Sequence, residues 1–241
     1  MLNLTNVTLF IADGRTDSDS YRRSLYAIKQ CTDKADFAKT IFLSGYTGGD
    51  PSCGFIHMNA FDVHTYSHLL CKNMSQYVDT DFALVIQHDG FIINADNWDE
   101  RFFQYDYIGA PWSVESTQRP NCRVGNGGFS LRSRKLIQAC DAIYNGVIKR
   151  PTLTQANAKR IIQHPISPEA SVNGNEDWHI CLIDKPLFEN RGIKYAPLEV
   201  ASKFSMEAHL PDCDNELRNK FGFHGARHFD ALKSIYGLDF S

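Results

Sequence analysis

The stretch Phe82-Ala-Leu-Val-Ile-Gln-His-Asp-Gly90 limits the choice of fold more than any other part of the chain. Its apolar, branched start carries no charge and has the length of a buried strand. It then stops at a lone carboxylate, Asp89, followed by glycine. Uninterrupted apolar strands belong to sheets covered on both faces, and these are mainly parallel. In an open α/β sheet, ligands bind outside the carboxyl ends of the strands. Asp89 is therefore expected at an edge where a site forms. The competing reading is a plain Asp-Gly turn.

The surrounding pattern supports such a sheet. Val7–Ala12 reads as a buried strand ending at Asp13-Gly14, Ser18–Cys31 as a helix, and Lys39–Ser44 as a second strand. A turn-rich loop, Gly45–Pro51, leads to a short strand at Phe55–Met58. Asp62–Val78 reads as a helix with Tyr66, Leu69, Leu70, Asn73 and Tyr77 near one face. Strands alternating with helices imply βαβ units. In the second half, glycine and proline are expected to break regular structure in Asp106–Trp112. Val124–Leu131 has a glycine-rich start and an apolar end. Ser133–Tyr144 and Asn175–Asn190 read as helices, the second stopped by Arg191-Gly192. The 241 residues, 43% of them hydrophobic, suffice for one domain. Two lobes are expected within it, residues 1–110 and 111–241.

A net charge of -3 offers no basic field for a nucleic-acid backbone. No run of about 18 apolar residues is present, so no transmembrane segment is expected. Met1–Thr8 lacks a basic start and reads as the lead-in to a strand, not a signal peptide. The seven cysteines are dispersed, with no C-x-x-C pair, which fits a reducing cytoplasm. The inner face of a membrane stays open as a location.

Four groups of residues carry chemistry. Asp89 can hold a divalent cation that bridges phosphates and stabilises a departing diphosphate. Mg²⁺ and Mn²⁺ favour oxygen ligands, and Mn²⁺ also accepts imidazole. His224, in Phe221-Gly-Phe-His224, is then a second metal ligand, or else a packed core histidine. Gly125-Asn-Gly-Gly128 permits close backbone approach to a ligand, or forms an ordinary Asn-Gly hairpin turn. Glu176-Asp177 offers one carboxylate as a base and one to hold an acceptor, or simply caps a helix. Trp178, after the Asn173-Gly-Asn175 turn, offers a flat apolar surface to a sugar ring. His64/His68 and, if helical, His224/His228 have i,i+4 spacing. His64 lacks the following glutamate of a zinc protease, and no cysteine has zinc-ligand spacing.

Together these phrases resemble glycosyltransferases of the GT-A fold. They are most similar to an uncharacterised glycosyltransferase-like family of bacterial and viral proteins. The resemblance rests on Gln87-His-Asp-Gly90, Tyr105-Asp-Tyr-Ile-Gly-Ala-Pro-Trp112, Val124-Gly-Asn-Gly-Gly-Phe-Ser-Leu-Arg132, Glu176-Asp177 and Phe221-Gly-Phe-His224. It implies an α/β, Rossmann-like fold, a mixed and mainly parallel sheet flanked by helices. Asp89 matches the last aspartate of an Asp-x-Asp motif. Gln87 stands at its first position and supplies no carboxylate. The resemblance makes Asp89 and His224 the metal ligands, for Mn²⁺ or Mg²⁺, and Asp177 the base, with Glu176 on the acceptor. Asp13, Tyr66, Gln87, His88, Asp89, Asn126, Gly127 and Gly128 fall on the donor side, and Trp112, Glu176 and Trp178 on the acceptor side. Ser67 shares the family position of Tyr66.

The expected reaction is an inverting, metal-dependent transfer of a hexose or deoxyhexose. The donor is a nucleoside-diphosphate sugar, with uridine as the expected base, and the acceptor is a glycan hydroxyl. The alternatives are a non-catalytic nucleotide-sugar or glycan-binding module, and a retaining transferase of the same fold.

Overall fold

The computed structural model describes residues 1–148 and 175–239. Six strands form one sheet: β1 (Leu2–Asp13), β2 (Ala35–Ser44), β3 (Phe55–His57), β4 (Phe82–Ile86), β5 (Tyr107–Gly109) and β6 (Phe129–Ser133). Their order is β3-β2-β1-β4-β6-β5. β1 to β4 are mutually parallel, whereas β6 runs antiparallel to both β4 and β5. The chain winds outward from β1 to β2 and β3, then returns to place β4 on the other side of β1. That reversal opens a crevice at the carboxyl ends of β1 and β4, where ligands of such sheets bind. Ile11 pairs with Ile86, so the segments beginning Ala12-Asp13 and Gln87-His88 leave the sheet side by side.

Side-chain alternation explains why the strand cores are apolar throughout. Leu9, Ile11, Leu84 and Ile86 face one cluster with helix α1 (Ser18–Thr32) and the C-terminal aromatics Phe204, Phe221 and Phe223. Phe10, Ala12, Ala83 and Val85 face the other, with helix α2 (Val63–Lys72) and Ile137. Both faces are covered, so neither phase of the period-2 alternation is left polar.

Helix starts follow side-chain caps. Asp17 accepts from Ser20 N, Asp62 from Thr65 N, and Ser133 from Leu136 N at the start of α4 (Arg134–Tyr144). A single helical turn, α3 (Val114–Thr117), lies before β6.

Several boundaries differ from expectation. β1 extends five residues earlier, and burial alternates along that half-covered extension. α2 stops at Lys72, not Val78; Asn145 Nδ2 takes the Lys72 carbonyl, and Met74–Gln76 forms a separate 3₁₀ turn. Within Asp106–Trp112, Tyr107–Gly109 is a strand because β6 pairs with it. Gly109 is required there, since a Cβ would lie 1.7 Å from Gly125 O. The helix expected at Asn175–Asn190 is broken into a turn at Glu176–Trp178, a π-helical turn at His179–Ile183 and a helix at Lys185–Glu189. Pro186 at the start of the last piece lacks an N–H to continue the ladder. The expected stop holds, with Gly192 at φ +74°. Asn173 and Gly174 of the expected turn lie outside the described residues.

His224 follows a two-residue strand, β8 (Gly222–Phe223), paired with β7 (Ser205–Met206). Gly225, at φ +104°, then turns the chain into a 3₁₀ turn at Ala226–His228. His224 and His228 therefore do not share a helix face, and His228 Nε2 instead meets Glu207 O at 2.8 Å. All seven cysteines are unpaired. Among the described residues, no helix is long and apolar enough to cross a membrane.

Candidate active site

A cleft of about 380 Å³ opens at the carboxyl ends of β1 and β4. Asp13, Tyr66, Gln87, His88, Asn126, Gly127, Gly128, Glu176, Asp177 and His224, scattered over more than two hundred positions of sequence, all line it. Arg15 and Glu207 join them. Trp112 and Trp178 pack against each other, ring centres 5.8 Å apart, outside this lining. Ser67 is fully buried, and neither it nor Asp89 lines the cleft.

The floor is built by the turn after β4. Gln87 and Gly90 exchange backbone hydrogen bonds, and His88-Asp89 form its tip. The turn expected as the bland reading of Asp-Gly is thus present, and it holds Asp89 against the C-terminal segment. Gly225 N donates to the Asp89 carbonyl at 2.8 Å. Asp89 Oδ1 is buried without a hydrogen-bond partner. It lies 3.6 Å from His224 Nε2 and 3.8 Å from His88 Nδ1. Gln87 Nε2 donates to Tyr66 Oη at 3.1 Å, which turns Gln87 Oε1 to 3.1 Å from the same His224 Nε2. Two oxygens thus lie within 3.6 Å of one imidazole nitrogen. Among the described residues there is no cluster of three or more His, Cys, Asp or Glu side chains able to hold a metal. The set here is two such side chains completed by an amide oxygen. An unsatisfied buried carboxylate oxygen beside a mixed O/N set fits Mn²⁺, and Mg²⁺ less well because of the imidazole.

On its other edge, His224 Nδ1 lies 3.0 Å from Asn126 Nδ2 and 3.5 Å from Glu207 Oε1. Burial acts to lower the pKa of His224, but the hydrogen bond to Glu207 and the charge of Asp89 outweigh it and leave it raised.

The glycine loop fits around these groups. Asn126 has φ +58°. A Cβ on Gly127 would lie 1.9 Å from Glu176 Oε1, and one on Gly128 would lie 2.1 Å from His224 Nε2. The loop is not a hairpin turn, because β6 pairs with β4 and β5. Its glycines let the Glu176 and His224 side chains approach the backbone.

The two adjacent carboxylates have different surroundings. Glu176 Oε1 pairs with Arg132 Nη2 at 2.8 Å, and Arg132 is only 1% exposed. The guanidinium also donates from Nε to Ser130 Oγ at 3.0 Å and stacks over the Tyr107 ring. Asp177 instead accepts two backbone N–H groups, Gly127 N at 2.9 Å and Trp178 N at 2.7 Å. Burial, then the neighbouring Glu176 charge, push its pKa up to about 7. At the end of β1, Arg15 grips Asp13 through Nε at 2.8 Å and Nη2 at 2.6 Å, and Ser24 Oγ donates at 2.9 Å. Burial opposes ionisation of Asp13, but the Arg15 hydrogen bonds prevail and hold its pKa below the usual carboxylate value.

Arg15, Arg132 and Glu207 were not singled out from the sequence. Arg132 left one signal, the lone charge in the strand Phe129–Ser133. Arg15 and Glu207 left none.

The fold is GT-A-like. A glycosyltransferase involved in glycosylation of the major capsid of PBCV-1 matches over 95% of this chain and 99% of its own, at 10% identity and a TM-score of 0.53. An active-site mutant of LgtC matches over 95% of both chains, at 14% identity and a TM-score of 0.50. The mannosyltransferase PcManGT of Pyrobaculum calidifontis, solved with GDP-Man and Mn²⁺, is similar over 56% of this chain at 11% identity and a TM-score of 0.37. This chain spans only 46% of that mannosyltransferase. No curated protein matches in sequence. The chain belongs to the family described as protein of unknown function (DUF5672), whose model matches residues 54–224.

Proposed function

We propose that this protein is a metal-dependent glycosyltransferase that moves a hexose or deoxyhexose from a nucleoside-diphosphate sugar to a glycan hydroxyl with inversion. One observation carries the reading: His224 Nε2, in the cleft that holds Asp177, has Gln87 Oε1 at 3.1 Å and the buried Asp89 Oδ1, which accepts no hydrogen bond, at 3.6 Å. Gln87, Asp89 and His224 are the residues assigned to the cation. When bound, a divalent cation supplies Lewis-acid stabilisation of the departing diphosphate.

The remaining steps belong to the chain's own side chains. Asp177 takes the proton of the acceptor hydroxyl as it attacks. Each of its oxygens already accepts one backbone N–H, which fixes its direction and leaves a lone pair for that proton. A base with pKa about 7 suits work near neutrality. Glu176 keeps Oε1 on Arg132, and this reading gives its other oxygen to an acceptor hydroxyl. This reading gives the donor phosphates to Arg15, beside Asp13, and the rest of the donor to Tyr66, His88, Asn126, Gly127 and Gly128, which line the same cleft. The Trp112–Trp178 pair is the proposed platform for the acceptor sugar. Residues 1–110 then serve mainly the donor and 111–241 mainly the acceptor. Uridine is the proposed base and the cytoplasm the proposed compartment, the latter supported by seven unpaired cysteines.

Calorimetry with uridine and guanosine diphosphates, each with and without Mn²⁺, tests the donor site. Uridine diphosphate binding that requires both Mn²⁺ and Asp89 is expected. Binding indifferent to Mn²⁺ and to Asp89→Ala would remove the metal from the reading. Binding of donor without transfer or hydrolysis, across a broad acceptor set, would leave a non-catalytic module. Product with the donor's own anomeric configuration would make the enzyme retaining and Asp177 no base.

A further inference from the structure

We propose that Glu207 is the positioning residue that makes His224 a metal ligand, by holding the proton of its Nδ1. The inference rests on the metal-dependent reading above and adds a residue that belongs to none of the sequence motifs.

A neutral imidazole carries one N–H and one lone pair, and the partner of one nitrogen decides the state of the other. His224 Nε2 faces two acceptor oxygens, Gln87 Oε1 at 3.1 Å and Asp89 Oδ1 at 3.6 Å. A cation seated among these three atoms needs the Nε2 lone pair, so the ring proton must lie on Nδ1. Two groups face Nδ1. Asn126 offers an amide N–H at 3.0 Å, which favours the opposite tautomer. Glu207 offers a carboxylate oxygen at 3.5 Å, the only acceptor of the two. Glu207 therefore selects the metal-competent tautomer. A carboxylate behind a ligating imidazole both orients the ring and raises its basicity.

Glu207 is well placed to act this way. It follows directly on β7, whose partner β8 leads into His224, and His224 N donates to Met206 O at 3.0 Å. The two side chains thus hang from paired strands, and their separation is set by the backbone. Glu207 also lines the cleft and is partly exposed, so its removal leaves no sealed cavity.

The test is Mn²⁺ titration of the full chain, followed by the electron paramagnetic resonance of free Mn²⁺. Wild type, Glu207→Ala, Glu207→Gln and Asp89→Ala are compared, with near-ultraviolet circular dichroism as a check on folding. Glu207→Ala is expected to weaken Mn²⁺ binding by about 10–100-fold, as is usual for such outer partners. Glu207→Gln keeps an acceptor oxygen without the charge and is expected to recover part of that loss. In ¹⁵N spectra of Mg²⁺-saturated wild type, His224 Nδ1 is expected to be the protonated nitrogen. If Glu207→Ala binds Mn²⁺ like wild type while Asp89→Ala does not, the role of Glu207 is overturned and the metal reading stands. If wild type binds no Mn²⁺, the metal reading fails and takes this proposal with it.

Discussion

β1 and β4 end side by side, and a carboxylate follows closely on each, yet the two are wired in opposite ways. Asp13 at the end of β1 has Arg15 on both oxygens and Ser24 on one. Asp89, after β4, has a buried oxygen that no donor reaches. The contrast recurs across the cleft: Glu176 is locked to Arg132, while its neighbour Asp177 meets only backbone N–H groups. Buried polar atoms are usually satisfied, so an unsatisfied one asks for a missing partner. Asp13 and Glu176 are thus held by arginines, whereas Asp89 and Asp177 have no cationic side chain within hydrogen-bond distance. Structure and chemistry are divided between neighbours, and neither sequence position nor residue type says which does which.

The sharpest break in that contrast is Asp177→Asn. Loss of a general base commonly costs about 10²–10⁴-fold, so turnover should fall by that order while donor binding is kept. Steady-state kinetics with a working donor checks this, and near-normal turnover would end the base assignment. The wild-type rate should rise as pH increases through about 7, because Asp177 must be ionised to act. Stability should move the other way. The folded pKa lies above the ordinary 3.8, so the folded state binds the extra proton between those values. Asp177 therefore favours folding most below about pH 3.8, and that contribution is lost as pH rises towards about 7. Asp177→Asn should remove this slope from denaturant-unfolding data collected across the window.

Next comes Arg132→Met, which strikes the locked side of the comparison. It leaves Glu176 buried without its cation, and breaking one half of a buried pair costs about 3–5 kcal/mol. Urea unfolding should show a loss of that order, and Arg132→Met with Glu176→Gln should recover much of it. A single variant as stable as wild type would mean that Arg132 is not what holds Glu176. Asp89→Ala belongs to the available side and should do the reverse. Mn²⁺-dependent nucleotide binding should weaken by at least about 10–100-fold, the range seen when even outer-shell partners of a metal are lost. Unfolding should change far less than in Arg132→Met, because that oxygen accepts no hydrogen bond within the fold and meets only the His224 and His88 rings, at 3.6 and 3.8 Å.

The legibility of these roles in the sequence follows the same division. The ends of β1 and β4, the close approach at Gly127 and Gly128, and the pairing of Asp89 with His224 could be anticipated, because each sits in a local phrase with its own turn or glycine signal. The arginine partners could not. Arg15 is two residues from Asp13, but only the turn after β1 folds it back. Arg132 meets Glu176 across 44 positions of sequence. Glu207 reaches His224 only because β7 and β8 pair, and neither strand exceeds two residues. The same reason explains the fold errors. Tyr107–Gly109 looks like a breaker until β6 pairs with it, and the run after Asn175 looks like one helix until its π-helical turn and Pro186 divide it. Patterns of period and punctuation report on neighbours in sequence, whereas these features depend on neighbours in space.

The smallest expected effect is that of Asp13→Asn, and it tests the comparison from the quiet side. Asparagine keeps a carbonyl oxygen for Arg15 and loses only the charge. Arg15 is 40% exposed, so solvent screens the pair and its worth is about 0.2–1 kcal/mol. The folded pKa of Asp13 lies below its ordinary value, so this contribution is present above about pH 3.8 and lost as acid protonates the folded carboxylate. Wild type and Asp13→Asn should therefore differ slightly in stability at pH 7 and converge in acid. Mn²⁺ affinity should stay within about twofold of wild type, well short of the 10–100-fold that loss of a metal partner brings. If Asp13→Asn instead removed Mn²⁺-dependent nucleotide binding as completely as Asp89→Ala, the two strand ends would be one site. Arg15 would then be holding Asp13 ready for the ligand, not out of its way.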